Sequence, residues 1–404
     1  MSNLIIYIIF LIIFFYCAFS VLYLSALSFA GRFFYREKYT QSVTKPFSKI
    51  AILVPGYKED GVIFSTADNL LNLDYPKELY DVYIIADSFK EETLAKLSVM
   101  PIQVLEVFFK QSTKARSLNE AFKRINKSYD IALICDADNM LARDFLRKLN
   151  RAFSNGAKAV QGRRVAKNLD TSYAILDACS EAINNNIFRK GTYALGMSSA
   201  VIGSGMAFDF ETIKKIFSQV NAVGGFDKIL QLKVVEQGIK IHYIQSALIF
   251  DEKVDSSNAF KQQRKRWVSS QFIYLKQFFF PACKQLFKGN FSYFNLAVAN
   301  NFVLPRGFLL FLLPLLIITS YFIMPAFWFT ASICLFVCCM LCLFLALPLK
   351  MINKNFFIAI SRLPRAIFSM FGALFQMKKS NKTFIHTVHT KTEITNSLFN
   401  EHSR

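Results

Sequence analysis

Two short stretches, Asp136-Ala137-Asp138 and Gln263-Arg264-Lys265-Arg266-Trp267, combine residue types that could act on a phosphorylated sugar. In the first, two carboxylates fall on the same side of an extended segment. Hard divalent cations take oxygen ligands, and Mg²⁺ or Mn²⁺ is usually held by one or two carboxylates plus substrate phosphates. Asp136 and Asp138 are therefore candidate metal ligands, although Asp-x-Asp is also common in loops and helix caps. In the second stretch, a guanidinium next to an indole offers a bidentate clamp for phosphate and a flat, apolar face for a sugar ring. Gln263, Arg266 and Trp267 would serve equally as the basic snorkelers and aromatic anchor of an interfacial helix.

Three further residues could take part. Asp87 closes an apolar run, where a carboxylate can accept hydrogen bonds from a nucleobase or ribose, or cap a helix. Lys114, three residues before a helical pattern opening at Ser117, could offset the charge of a diphosphate or sit solvated on the surface. Asp227 begins a helical pattern closed by Gly238. There it could cap the helix, or take a proton from an attacking hydroxyl if it faces a sugar-binding cleft.

The elements that would position these residues follow from periodicity. Ile50 to Val54, Val82 to Ala86, Val104 to Phe108 and Ile131 to Cys135 read as short buried strands. Helical patterns separate them, notably Ser117 to Ile125 and Asp144 to Phe153. This alternation predicts an α/β domain with a parallel sheet covered on both faces, and ligands in such sheets collect at the carboxyl ends of strands. Glu59, Asp87, Asp136 and Asp138 all fall just past a strand end. The stretch from Ala159 to Tyr243 reads as less regular, with a Gly203-Ser204-Gly205 turn.

Membrane segments flank this domain. Leu4 to Ala30, Gly307 to Met324 and Phe327 to Leu347 are uncharged and near spanning length. Ser28-Phe29-Ala30 has the form of a signal cleavage site, but no Lys or Arg precedes the apolar run, which favours a retained anchor. Basic residues flank the spans at Arg32, Arg36, Lys38, Lys284, Lys288, Arg306, Lys350 and Lys354. By the positive-inside rule they predict a multi-pass protein of the cytoplasmic (inner) membrane, its N-terminus outside and its central domain cytoplasmic. The expected organisation is a membrane helix at 1–30, a linker at 31–48 and an α/β domain at 49–258. The Gln-x-x-Arg-Trp motif with interfacial helices then occupies 259–306, two membrane helices 307–348, and an interfacial helix with a cytoplasmic tail 349–404.

The formal charge of +20 raises the question of a nucleic-acid partner. From Ser256 to Thr392, however, there is no Asp or Glu, and the basic residues are interleaved with Phe, Leu and Ile. That pattern fits helices lying on anionic lipid and argues against nucleic acid. The eight cysteines include a Cys339-x-x-Cys342 pair with zinc-like spacing. It falls inside an apolar span without a polar surround, so small apolar packing is the better account.

Taken together, the chain resembles the membrane-embedded inverting glycosyltransferases of family 2. That group includes the cellulose, hyaluronan and poly-N-acetylglucosamine synthases and ceramide glucosyltransferase. The likeness runs from about Ile50 to Trp267 and more loosely to Thr390. The family's Pro-x-Tyr-x-Glu pattern is matched by Pro55-Gly56-Tyr57-Lys58-Glu59, its nucleotide-contacting acid by Asp87, and its Lys-Ala-x-x-Leu-Asn segment by Lys114 to Asn119. The metal-binding Asp-x-Asp corresponds to Asp136-Ala137-Asp138 and the acceptor-side Gly-x-Gly turn to Gly203-Ser204-Gly205. The catalytic base of the family sits in a Thr-Glu-Asp triplet eleven residues before a helix-ending glycine. Asp227 has that spacing from Gly238, but Gly225-Phe226 replaces Thr-Glu. Lys382 to Thr387 resembles the family's tail segment.

The resemblance implies a GT-A, Rossmann-like nucleotide-sugar domain and inverting, metal-dependent transfer from a nucleotide-sugar donor, expected to be UDP-linked. Glu59, Asp87, Lys114, Asp136 and Arg266 would contact the donor. Asp138 with Asp136 would hold Mg²⁺ or Mn²⁺, and Asp227 would be the base. Gly203, Gly205, Gln263 and Trp267 would bind the acceptor, expected to be a growing polysaccharide, with a glycolipid-forming reaction as the alternative. Three spans are too few to enclose a polymer channel, so export of a long glycan would need a homo-oligomer or a secretion partner. A competing reading from another class is a membrane scaffold or transport accessory with a degenerate nucleotide-binding domain. No charged residue lies inside a span, so an ion or solute pathway has little support.

Overall fold

A computed structural model describes residues 2–39, 46–220, 225–364, 367 and 389–397. It divides into two compact units. One comprises Met1–Tyr35, Ala182–Met197 and Ser257–Lys378; the other comprises Arg36–Glu181, Ser198–Ser256 and Lys379–Arg404.

The second unit is built on a mixed sheet of eight strands. In chain order these are β1 (Ile50–Tyr57), β2 (Tyr80–Asp87), β3 (Gln103–Val107), β4 (Ile131–Ile134), β5 (Met140–Leu141), β6 (Ala159–Ala166), β7 (Met206–Asp209) and β8 (Ile241–Asp251). They lie in the order β3-β2-β1-β4-β7-β6-β8-β5. The first half is parallel, as the strand–helix alternation predicts: β1 pairs with β2 and β4, and β2 with β3. Ile50, Ile52, Val54, Ile84, Ile131 and Leu133 are fully or almost fully buried here, forming the core with Leu70, Phe145 and Leu149 from the covering helices.

The stretch that reads as irregular from sequence supplies β6, β7 and the start of β8. Its strands escape the apolar-run pattern because β6 carries Gln161, Arg163 and Arg164. A wholly parallel sheet is also not what forms, since β7 runs antiparallel to both β4 and β6. This reversal sets Met206, at the start of β7, opposite Ile134, at the end of β4. The Gly203-Ser204-Gly205 turn thus comes beside Asp136, where an all-parallel arrangement would have carried it to the other edge of the sheet.

In the first unit, Leu4–Phe33, Arg306–Ile323 and Ala326–Ala346 are helical and apolar enough to cross a membrane. Small residues let the N-terminal helix pack closely. Ser28 Oγ donates to the Cys342 carbonyl at 2.8 Å, Asn186 Nδ2 donates to the Ser28 carbonyl at 3.1 Å, and a side chain at Gly191 would collide with the Leu27 backbone. Gln263, Arg266 and Trp267 lie on the helix Ser257–Phe287 of this unit. The interfacial helix expected within 349–404 begins with the helix Lys354–Ser361; much of the remainder, with the tail segment Lys382 to Thr387, lies outside the described residues.

Candidate active site

Strand register explains why the acidic residues converge. Tyr57 pairs with Asp87, so β1 and β2 end together at the carboxyl edge of the sheet, while β4 ends at Ile134, paired with Leu53, and leads into the loop that carries Asp136 and Asp138. Lys58 and Ser88, the residues following β1 and β2, both take positive φ (55° and 59°). Such backbone is unfavourable for residues with a Cβ and turns both chains sharply at the rim. Asp87 is 1% exposed, and its Oδ1 accepts from Ser88 Oγ at 3.0 Å. Its Oδ2 is buried with no hydrogen-bond partner among the described residues. Burial raises its pKa above the usual carboxylate value. A buried acceptor without a donor is costly, and a donor group supplied by a ligand would relieve it. Asp87→Asn should accordingly raise the KM for the nucleotide-sugar donor by roughly 10-fold, the equivalent of ~1.4 kcal/mol, with kcat little changed. An unaltered KM in steady-state assays would remove Asp87 from the donor site.

Lys114, Asp136, Gly203 and Asp227 meet beside this edge. Lys114 does not precede its helix but opens it, the helix spanning Lys114–Arg124 with Thr113 as the capping residue. Its ammonium donates to Asp136 Oδ1 and, at 2.6 Å, to the Gly203 carbonyl, and lies 5.1 Å from the centre of the Phe226 ring. A Cβ built on Gly203 would lie 3.9 Å from both Lys114 Nζ and Asp227 Cβ. Asp227 does not cap its helix: Gly225, at φ 62°, has that place, and Asp227 stands in the first turn of Phe226–Glu236. Burial raises the Asp227 pKa, opposed by Lys228, Lys114 and Arg164. Lys228 beside it is lowered to about 8, again by burial.

The glycine turn is fixed from below by two glutamines that sequence reading did not single out. Gln161 Nε2 donates to the Ser204 carbonyl at 3.0 Å, Ile202 N donates to Gln161 Oε1 at 3.1 Å, and Val201 N donates to Gln231 Oε1 at 3.1 Å. Ser204 Oγ in turn accepts from Asp136 N at 3.0 Å. Gly205 adopts φ 58°, and a Cβ there would run into Ile249. Gly205→Ala combines left-handed strain with overpacking, for an expected loss of roughly 2–4 kcal/mol. Chemical denaturation should show the loss; a midpoint equal to wild type would mean that the turn tolerates a side chain.

Asp138 has a different partner from Asp136. It is 6% exposed, and its Oδ2 lies 3.9 Å from His389 Nε2, while His389 Nδ1 is 3.1 Å from both carboxylate oxygens of Glu59. Burial raises the Asp138 pKa to about 6 against the pull of His389. For His389 burial works downward, but Asp138 and Glu59 overcome it and raise the imidazole to about 10. Nothing in its own surroundings in sequence marked this histidine, which lies 330 positions from Glu59. The only available signal was the neighbouring tail motif.

Among the described residues no three His, Cys, Asp or Glu side chains converge as a ready-made metal cage. Asp138 and His389, 3.9 Å apart, are the residues that would hold a divalent cation. The Asp138 carboxylate and substrate phosphate oxygens suit Mg²⁺ or Mn²⁺, while the His389 imidazole, once it gives up its Nε2 proton, would add a nitrogen donor that Mn²⁺ accepts more readily than Mg²⁺.

On the helix Ser257–Phe287 the Arg264 guanidinium lies 4.4 Å from the Trp267 ring and 4.7 Å from Phe260, because residues three and four apart share a helix face. Trp267 remains 36% exposed, and Gln263 Oε1 is buried without a hydrogen-bond partner among the described residues.

A parallel half-sheet with acids at its carboxyl edge, followed by an antiparallel return that brings in a glycine turn, is the architecture of a GT-A nucleotide-sugar domain. Residues 46–270 match the model of glycosyltransferase-like family 2, and the chain belongs to that family. It is 23% identical over 268 residues to a probable glycosyltransferase, YdaM, of Bacillus subtilis, covering 62% of each chain. It is also 23% identical over 243 residues to the β-monoglucosyldiacylglycerol synthase of Synechocystis sp., and 26% identical over 244 residues to that of Nostoc sp.. These alignments span 57–58% of this chain and 49–51% of those enzymes, so the chain spans about half to three-fifths of the length of these curated relatives. Among solved structures, a mannosyltransferase of Pyrobaculum calidifontis, crystallised with GDP-Man and Mn²⁺, shares the fold. Its TM-score is 0.50 at 15% identity, over 89% of this chain and 99% of that one.

Proposed function

We propose that the protein is a nucleotide-sugar-dependent glycosyltransferase that transfers one sugar, with inversion, to the hydroxyl of a membrane lipid. The observation that carries the transfer reading is the convergence of Asp87, Lys114, Asp136, Asp138, Gly203 and Asp227 at one sheet edge. Asp87 Oδ2 would accept from the nucleobase or ribose. Asp138 and His389, with Asp136 nearby, would hold a divalent cation, which when bound neutralises the departing diphosphate. Lys114 adds a positive charge on the same side. Asp227 removes the proton of the acceptor hydroxyl as its oxygen forms a bond to the anomeric carbon, and the carbon–oxygen bond to the diphosphate breaks.

Placement of Gln263, Arg266 and Trp267 on the donor phosphate and acceptor sugar belongs to the same proposal, as does a membrane location with the sheet-bearing unit on the cytoplasmic side. A lipid acceptor is favoured over a growing polysaccharide by the Synechocystis and Nostoc relatives, which are named β-monoglucosyldiacylglycerol synthases. The test is incubation of the purified protein with a panel of nucleotide sugars and extracted lipid. A lipid bearing a single added sugar supports the reading, while a ladder of soluble glycan would overturn the lipid acceptor and restore polymer synthesis.

A further inference from the structure

Lys167 follows β6 and is fully buried, yet no role in the proposed reaction calls for it. Burying an ammonium is expensive unless strong hydrogen bonds compensate. Its Nζ donates to two main-chain carbonyls: that of Asp138 and, at 3.0 Å, that of Lys391. Its own backbone completes the knot. Lys167 N donates to the Asp251 carbonyl at 2.8 Å, and the Lys167 carbonyl accepts from Thr395 N at 3.0 Å and Asn396 N at 3.2 Å. The segment 389–397 is held further by Glu252, which accepts from Thr390 N and Lys391 N at 3.0 and 2.9 Å, and by Asn396 Nδ2 donating to the Ala166 carbonyl at 2.8 Å. One buried side chain therefore grips both the loop that carries Asp138 and the distant segment that carries His389.

We propose that Lys167 is a positioning residue whose ammonium ties the Asp138 loop to the 389–397 segment and so keeps Asp138 and His389 within the span of one divalent cation. A carboxylate in its place of contact would serve poorly, because both groups to be joined are carbonyls and need a donor with more than one N–H. This role rests on the proposed metal-assisted transfer.

The test compares the detergent-solubilised full chain with Lys167→Met, which keeps the apolar stem, and Asn396→Ala, which loosens the same knot without touching a charge. Mn²⁺ binding without donor is measured by equilibrium titration, and hydrogen–deuterium exchange is followed over 136–142 and 389–397. Lys167→Met should bind Mn²⁺ at least 10-fold more weakly and lose protection in both segments while the rest of the sheet stays protected. Its donor KM should rise, with kcat largely recovered at saturating Mn²⁺. Asn396→Ala should shift both readouts in the same direction by a smaller factor, and it decides the matter if Lys167→Met does not fold. A folded variant with unchanged Mn²⁺ affinity overturns the proposal, even where exchange protection is lost, since Lys167 would then be merely structural. Failure of the unaltered chain to bind Mn²⁺ would instead remove the metal reading on which the role depends.

Discussion

Asp227→Asn is expected to lower kcat by about 10²–10⁴-fold, the usual contribution of a positioned general base, with the donor KM within a few-fold of wild type. The change keeps the size and hydrogen-bonding shape of the side chain, so the helix Phe226–Glu236 should form as before. Only proton removal from the acceptor is lost. The pH dependence gives a second check. A base must be unprotonated to act, so activity is full above its folded pKa and is lost as pH falls through it. Burial raises that pKa above the ordinary 3.8 of an aspartate. The acid limb of the wild-type kcat/KM profile should accordingly lie above 3.8 and be missing from the residual activity of the variant. An unchanged acid limb or full activity in Asp227→Asn would assign the base elsewhere.

Asp138→Asn should cost about 10²–10³-fold in kcat/KM, comparable to removing a main electrostatic stabiliser of a developing charge. It should also weaken Mn²⁺ binding, which can be read without turnover. Asp136→Asn should do less to metal affinity. The Asp136 carboxylate is already paired with Lys114 and is 29% exposed, whereas the Asp138 side chain is 8% exposed and faces His389. Parallel Mn²⁺ titrations of the two variants make the comparison, and an Asp136→Asn defect equal to or larger than that of Asp138→Asn would reverse the assigned ligand order.

The chain's local patterns carry much of this account. Uninterrupted apolar runs such as Ile131 to Ile134 and uncharged stretches such as Leu4 to Ala30 declare buried strands and membrane-grade helices, because burial in a core or in lipid demands apolar residues over a fixed length. Motif spacing then pointed to Asp87, Lys114, Asp136, Asp138 and Asp227. What stayed hidden was decided by pairing and by long-range contact. No local pattern shows that β7 turns antiparallel and delivers Gly203 to Lys114, since strand direction depends on which partners compete for its edge. The polar strand β6 conceals Gln161, whose amide is fully satisfied only once the glycine turn is folded over it. Nor does local sequence reveal that Ala182–Met197 belongs with the membrane-grade helices, where Gly191 allows its backbone to touch Leu27. The sequence by itself determined the class of chemistry, because that depends on residue types at short spacing. Tertiary structure alone decided that His389 stands between Glu59 and Asp138, because hydrogen bonds and ion pairs depend on distance in space, and a separation of 330 positions from Glu59 leaves no trace of it along the chain.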